Sequence, residues 1–79
     1  MLNKYAVSYE KDLGGMHRFY NGKKQGTWSL REAQFYDNIE QAERTAKELC
    51  IKYKFARLIY IHEWSPQMLV GETRVVKII

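Results

Sequence analysis

The sequence predicts an α+β fold: a two-layer sandwich of one amphipathic helix on a four- to five-stranded, mainly antiparallel sheet, in the order β-β-(β)-α-β-β. Three observations predict it. The segment Asp37 to Lys54 carries a 3.6-residue apolar period. The segments flanking it alternate, or run apolar over short stretches bounded by turn residues, as strands do. A chain of 79 residues, 46% of them hydrophobic, builds one core and has no room for a second, so residues 1–79 read as a single domain.

In chain order, Lys4 to Glu10 places Tyr5, Val7 and Tyr9 on one face and Lys4, Ala6 and Ser8 on the other, the pattern of a half-buried strand. Glu10–Gly15 reads as a loop and Met16–Tyr20 as a second strand. Asn21–Gly22 is the strongest hairpin-turn dipeptide in the chain, with Gln25–Gly26 a second turn signal. Thr27–Leu30 is expected as a short third strand. A competing capping box, Ser29 with Glu32, would instead give a helical turn near Arg31–Gln34.

The helix stripe is Ile39, Ala42, Ala46, Leu49, Cys50 and Tyr53. Asp37 is expected as N-cap with Glu40 as its capping-box partner. On the outer face, Glu40–Arg44, Glu43–Lys47 and Glu48–Lys52 are i,i+4 pairs with the acid first, each worth about 0.2–0.5 kcal/mol. After the helix, Ala56–Trp64 is the best strand; Leu58, Ile59, Tyr60 and Ile61 are apolar on both faces, which predicts a central position. Ser65–Pro66 ends it, and Met68–Ile79 supplies a last strand with Gly71, Glu72 and Arg74 marking a twist, bulge or exposed stretch. One helix covers one sheet face only. Tyr5, Tyr9, Phe19, Tyr20, Trp28, Tyr60 and Trp64 cannot all lie beneath it, so some must be solvent-exposed, line a dimer interface or meet a partner. The run Val75–Val76–Lys77–Ile78–Ile79 reads as an edge strand, with homodimerisation by strand pairing as the alternative.

Composition narrows the function classes. A lone Cys50 on the apolar stripe is expected to be a buried, inert thiol, and one cysteine fits a reducing compartment. No apolar run reaches the ~20 residues of a membrane span, and no signal-peptide core is present, so a cytoplasmic location without a membrane partner is expected. No cofactor motif appears: the glycines fit turns rather than a phosphate-binding loop. His17 and His62 stand alone in sequence without Cys, Asp or Glu at ligand spacing, so no metal site is expected. Glu63 and His62 are adjacent in a strand and point to opposite faces, so they are not an obvious acid–base couple. The expectation is a protein without catalytic residues, and not an enzyme.

The formal charge is +4, with six Lys or Arg against three acids in residues 1–36. The densest basic segment, His17 to Lys24 followed by Trp28, interleaves cations with rings. Arg18, Tyr20, Lys23, Lys24 and Trp28 are therefore the candidate partner-binding residues. Around Trp28, the run Ala33–Ala42, Ala46 and Leu49, the chain resembles short accessory proteins of phages and mobile elements, which set a small β-hairpin before an aromatic-capped Glu-x-Ala helix and close with two strands. The resemblance implies a small phage-type protein acting stoichiometrically on a host protein in the host cytosol. Some such proteins inhibit bacterial defence nucleases, the anti-CRISPR proteins among them; the basic charge here departs from the acidic nucleic-acid mimics in that group. A non-enzymatic binder of a host protein or complex is thus the leading expectation. The alternative is a small nucleic-acid-binding domain using the same hairpin and sheet face.

Overall fold

The alternation in the first strand separates two layers. In the computed structural model, which describes residues 3–10, 17–23, 26–52, 57–68 and 72–79, strand β1 (Lys4–Glu10) turns Val7 and Tyr9 into a buried layer under the helix α1 (Ile39–Lys52). With β2 (His17–Phe19), β3 (Arg57–Trp64) and β4 (Arg74–Ile78) it forms a four-stranded sheet ordered β2-β1-β3-β4. All neighbours are antiparallel, and α1 lies between β2 and β3 in the chain. β3 is interior, as its two-sided apolar pattern predicts. The α+β sandwich of one helix on one sheet is the observed fold.

Ala42, Ala46 and Leu49 of α1 meet Val7, Tyr9, Ile59 and Ile61, flanked by Tyr5, Tyr20, Tyr36 and Ile39. The two alanines keep the helix surface low where the larger sheet residues fill the layer, so the faces interdigitate. The buried stripe is narrower than the expected one. Cys50 is exposed, because one residue past Leu49 turns about 100° off the contact line. Ile51, a further step round, is 80% exposed. The expectation of a buried Cys50 is therefore corrected; Tyr53 and Lys54 lie outside the described residues.

Two polar expectations for α1 also change. The N-cap is Asn38, whose Oδ1 accepts from Gln41 N at 2.9 Å, while Gln41 Oε1 accepts from Asp37 N at 3.3 Å. The cap thus sits one residue beyond Asp37, and Asp37 instead pairs with Lys4 of β1. Glu43, expected to bond Lys47 one turn on, meets Lys77 Nζ of β4 at 2.8 Å and ties the helix to the edge strand.

The expected third strand is reduced to a single bridge. Thr27 pairs with Phe19 through both backbone groups, and a 3-10 turn follows at Leu30–Glu32. The Thr27 hydroxyl donates to Glu32 Oε2 and accepts from Ser29 N, each at 3.1 Å, so Thr27 rather than Ser29 holds this turn. Asn21 accepts from Lys23 N, and Gly22 and Gly26 both take positive φ, 92° and 68°, closing the loop between Phe19 and Thr27. Residues 11–16, 24–25, 53–56 and 69–71 carry the expected Glu10–Gly15 loop, the starts at Met16 and Ala56, Gln25 and Gly71; these lie outside the described residues. The last strand is shorter than expected, Arg74–Ile78, with its bulge between the Lys77 and Val75 pairings.

Candidate functional site

The sheet face opposite α1 is built by the residues that alternate with the core. On β1 these include Ala6 and Ser8. The register Ser8↔Phe19 and Glu10↔His17 brings in β2, while Ala6↔His62 and Ser8↔Tyr60 bring in β3. From β4, Ile78 stands opposite Tyr60 and Val75 opposite His62. Directly opposed residues of an antiparallel pair share a face, so these side chains form one continuous surface.

Rings roof the middle of that surface. His17 stacks on Tyr60 with centroids 4.3 Å apart and planes 15° apart. Phe19 meets His62 edge-on at 5.2 Å. Beneath them Ser8 is only 1% exposed, and its hydroxyl lies between two imidazoles, 2.6 Å from His62 Nε2 and 3.5 Å from His17 Nδ1. His62 Nδ1 lies 3.1 Å from Thr73 Oγ1 at the entrance to β4. One hydrogen-bonded chain therefore crosses β2, β1, β3 and the approach to β4. Burial holds the His62 pKa below its ordinary value, and the neighbouring His17 lowers it further. Outside the roof the surface is apolar and open: Val75 is 47% and Ile78 62% exposed.

Ser8 and His62 share the spacing of a nucleophile and its base, but not the access. The hydroxyl is covered, and Ser8 sits mid-strand, paired to β2 on one side and β3 on the other. Among the described residues, no group of three or more His, Cys, Asp or Glu gathers as metal ligands.

The residues expected from the sequence to bind a partner are placed differently. Arg18 opposes Tyr9 and so lies on the helix side of β2, where its guanidinium covers the Trp28 ring at 4.6 Å. Trp28 itself is 57% exposed. Tyr20 packs against the core from the same side. Lys23 is exposed in the adjoining loop, and Lys24 lies outside the described residues. Arg18 and Trp28 thus come together, on the opposite side of the sheet from Phe19, Tyr60, Val75 and Ile78. Ser8, His17 and His62 carry no sequence signal, since nothing in their spacing shows that three strands superpose them.

Beyond the helix, on its side of the sheet, lies a second polar cluster. Glu63, 8% exposed, accepts from Arg74 Nε and Nη2 at 2.9 and 2.6 Å, from the Tyr5 hydroxyl at 3.0 Å and from Asn3 Nδ2 at 3.2 Å. The Arg74 fork, then the Tyr5 hydroxyl, hold its carboxyl below the usual range. Glu63 and His62 do face opposite layers. The carboxylate is fully engaged, which makes it a structural clamp of β4 on β3. No helix among the described residues is long and apolar enough to cross a membrane. Neither a protein-family model, nor a curated protein, nor a solved structure matches the chain.

Proposed function

We propose that this chain is a small non-enzymatic binding protein that docks a protein partner on the open sheet face. The observation that carries the reading is the makeup of that face. Phe19, Tyr60, Val75 and Ile78 form a continuous aromatic and aliphatic surface, while three cations among the described residues of the sheet are engaged elsewhere. Arg74 is held by Glu63, Lys77 by Glu43 and Lys4 by Asp37. A surface of this kind suits an apolar interface centre with a polar rim, not a phosphate backbone. The partner acts as a stoichiometric target, blocked sterically or locked in one conformation. The finer assignment, a phage-type inhibitor of a host defence nuclease, is supported by the sequence resemblance alone, which spans roughly Tyr5 to Trp64.

The alternative is nucleic-acid binding on the other side of β2. It is supported by the Arg18 guanidinium stacked on the exposed Trp28, with Lys23 in the loop beside it. Capture from host lysate with and without nuclease separates the two. A stoichiometric protein partner that survives nuclease and is lost on Ile78→Asp supports docking on the open face. Co-purifying nucleic acid, released steeply by salt and lost on Trp28→Ala, overturns it in favour of the alternative.

A further inference from the structure

The hydrogens of the Thr73–His62–Ser8–His17 chain can be counted. Each nitrogen–oxygen contact has room for one hydrogen, and Ser8 has one to give. With both rings neutral, Ser8 donates to one imidazole and accepts N–H from the other. With one ring charged, that ring donates to Ser8, and Ser8 donates to the bare nitrogen of its neighbour. Every hydrogen still has an acceptor. With both rings charged, His62 Nε2–H and His17 Nδ1–H both point at Ser8, and the serine hydrogen has none. At 1% exposure, water does not supply one. The two cations would also face each other across a single hydroxyl, 2.6 and 3.5 Å from it.

We infer that His17, Ser8 and His62 form a one-proton site, in which the two imidazoles share a first proton and exclude a second. Glu10 lies in register with His17 on β1, with Arg57 in register on its far side, and Tyr60 stacks on His17 from β3. Lys4, at the far end of β1, is neutralised by Asp37. On the β4 side, Glu72 precedes Thr73, while Arg74 and Lys77 turn to the helix side and meet Glu63 and Glu43. Among the described side chains, those that hydrogen-bond the Ser8 hydroxyl are His62 and His17.

The consequence for docking rests on the function proposed above, whereas the site itself does not. A partner that covers the face removes water from around the imidazoles and so favours their uncharged form. Docking is then linked to release of one proton at most. Affinity falls by no more than about tenfold per pH unit on acidification, where two independent histidines would permit about a hundredfold.

The test uses the free chain, so its failure is distinct from failure of the docking reading. Imidazole ¹⁵N and ring-proton resonances are followed by NMR through acid titration. His17 and His62 are expected to respond together to a first step, with a separate second step at lower pH. Two unlinked single-site curves overturn the proposal. In Ser8→Ala the separation of the steps is expected to shrink although both charges remain; an unchanged separation assigns it to charge repulsion alone and removes Ser8 from the mechanism. Should Ser8→Ala not fold, the neutral wild-type tautomers decide. Of His62 Nε2 and His17 Nδ1, one is expected to carry hydrogen and the other to be bare; both bare or both protonated overturns the relay.

Discussion

Gly26 is the residue at which local geometry is least forgiving. Its φ is +68°, and a Cβ there would stand 2.7 Å from Tyr9 Oη, 3.0 Å from Phe19 O and 3.2 Å from Arg18 Cβ. Gly26→Ala therefore incurs left-handed strain, a clash with the buried Tyr9 hydroxyl and a tight contact with Phe19 O, and is expected to lose about 1–3 kcal/mol in urea unfolding. At Gly22 the nearest atom to an added Cβ is the mobile Gln34 Oε1 at 3.4 Å, so Gly22→Ala is expected to lose less. Equal losses would show that contact at Tyr9 does not matter. Glu63 and His62 set the acid response. Both have folded-state pKa values below their unfolded ones, so each contributes stability that is full at higher pH and lost on acidification. His62 begins to withdraw as pH falls through its unfolded value of 6.5, and Glu63 as pH falls through 4.5. Glu63→Gln is expected to be less stable than wild type at pH 7 and to show a flatter decline below 4.5; parallel curves would remove Glu63 as the acid-sensitive group. The residue scale was the least legible in the sequence. Asn21–Gly22 announced a turn, but the sharing of Ser8 by two histidines depends on registers that no local pattern contains.

At the scale of elements, periodicity carried the reading well and the ends carried it badly. Ala42, Ala46 and Leu49 mark the helix because steps of four and three repeat one face. Its cap slipped by one residue, since Asp37 and Asn38 are both competent N-caps and tertiary contact decided between them: Lys4 takes the Asp37 carboxylate, leaving Asn38 for the Gln41 amide. Asn38→Ala is therefore expected to lose about 1 kcal/mol of stability. Asp37→Ala removes an exposed ion pair, and its loss is expected to stay below about 0.5 kcal/mol. Thermal unfolding of the two variants checks this, and the reverse order would restore Asp37 as the cap. Thr27–Leu30 failed as a strand because β2 has three residues, of which Phe19 alone bridges to Thr27. The Thr27–Glu32 hydrogen bond then winds the next residues into a 3-10 turn.

For the whole molecule, the decisive fact is that β2 has two sides. The sequence places cations and rings together from His17 to Trp28, and it also shows that one helix cannot cover every aromatic. What it cannot show is the pairing of Tyr9 with Arg18 and of Ser8 with Phe19, which sends neighbouring residues to opposite faces. A patch continuous in sequence thus becomes two surfaces in space. Arg18 and Trp28 stand beside the helix layer, whereas Phe19 joins His62, Tyr60, Val75 and Ile78 on the open sheet. Their separation allows each to be altered alone. Val75→Thr with Ile78→Thr changes side chains that are 47% and 62% exposed, so stability is expected to move by less than about 1 kcal/mol. Trp28→Ala, at 57% exposure, is expected to be similarly mild, losing chiefly the Arg18 stacking contact. Because neither variant threatens the core, their effects on partner capture can be compared at equal folded fraction. The β4 double substitution is expected to weaken a protein partner by tenfold or more, about 1.4 kcal/mol, and Trp28→Ala to leave it within threefold. The opposite ranking would move the binding surface to the helix side of β2, where the stacked arginine and the loop lysine favour nucleic acid.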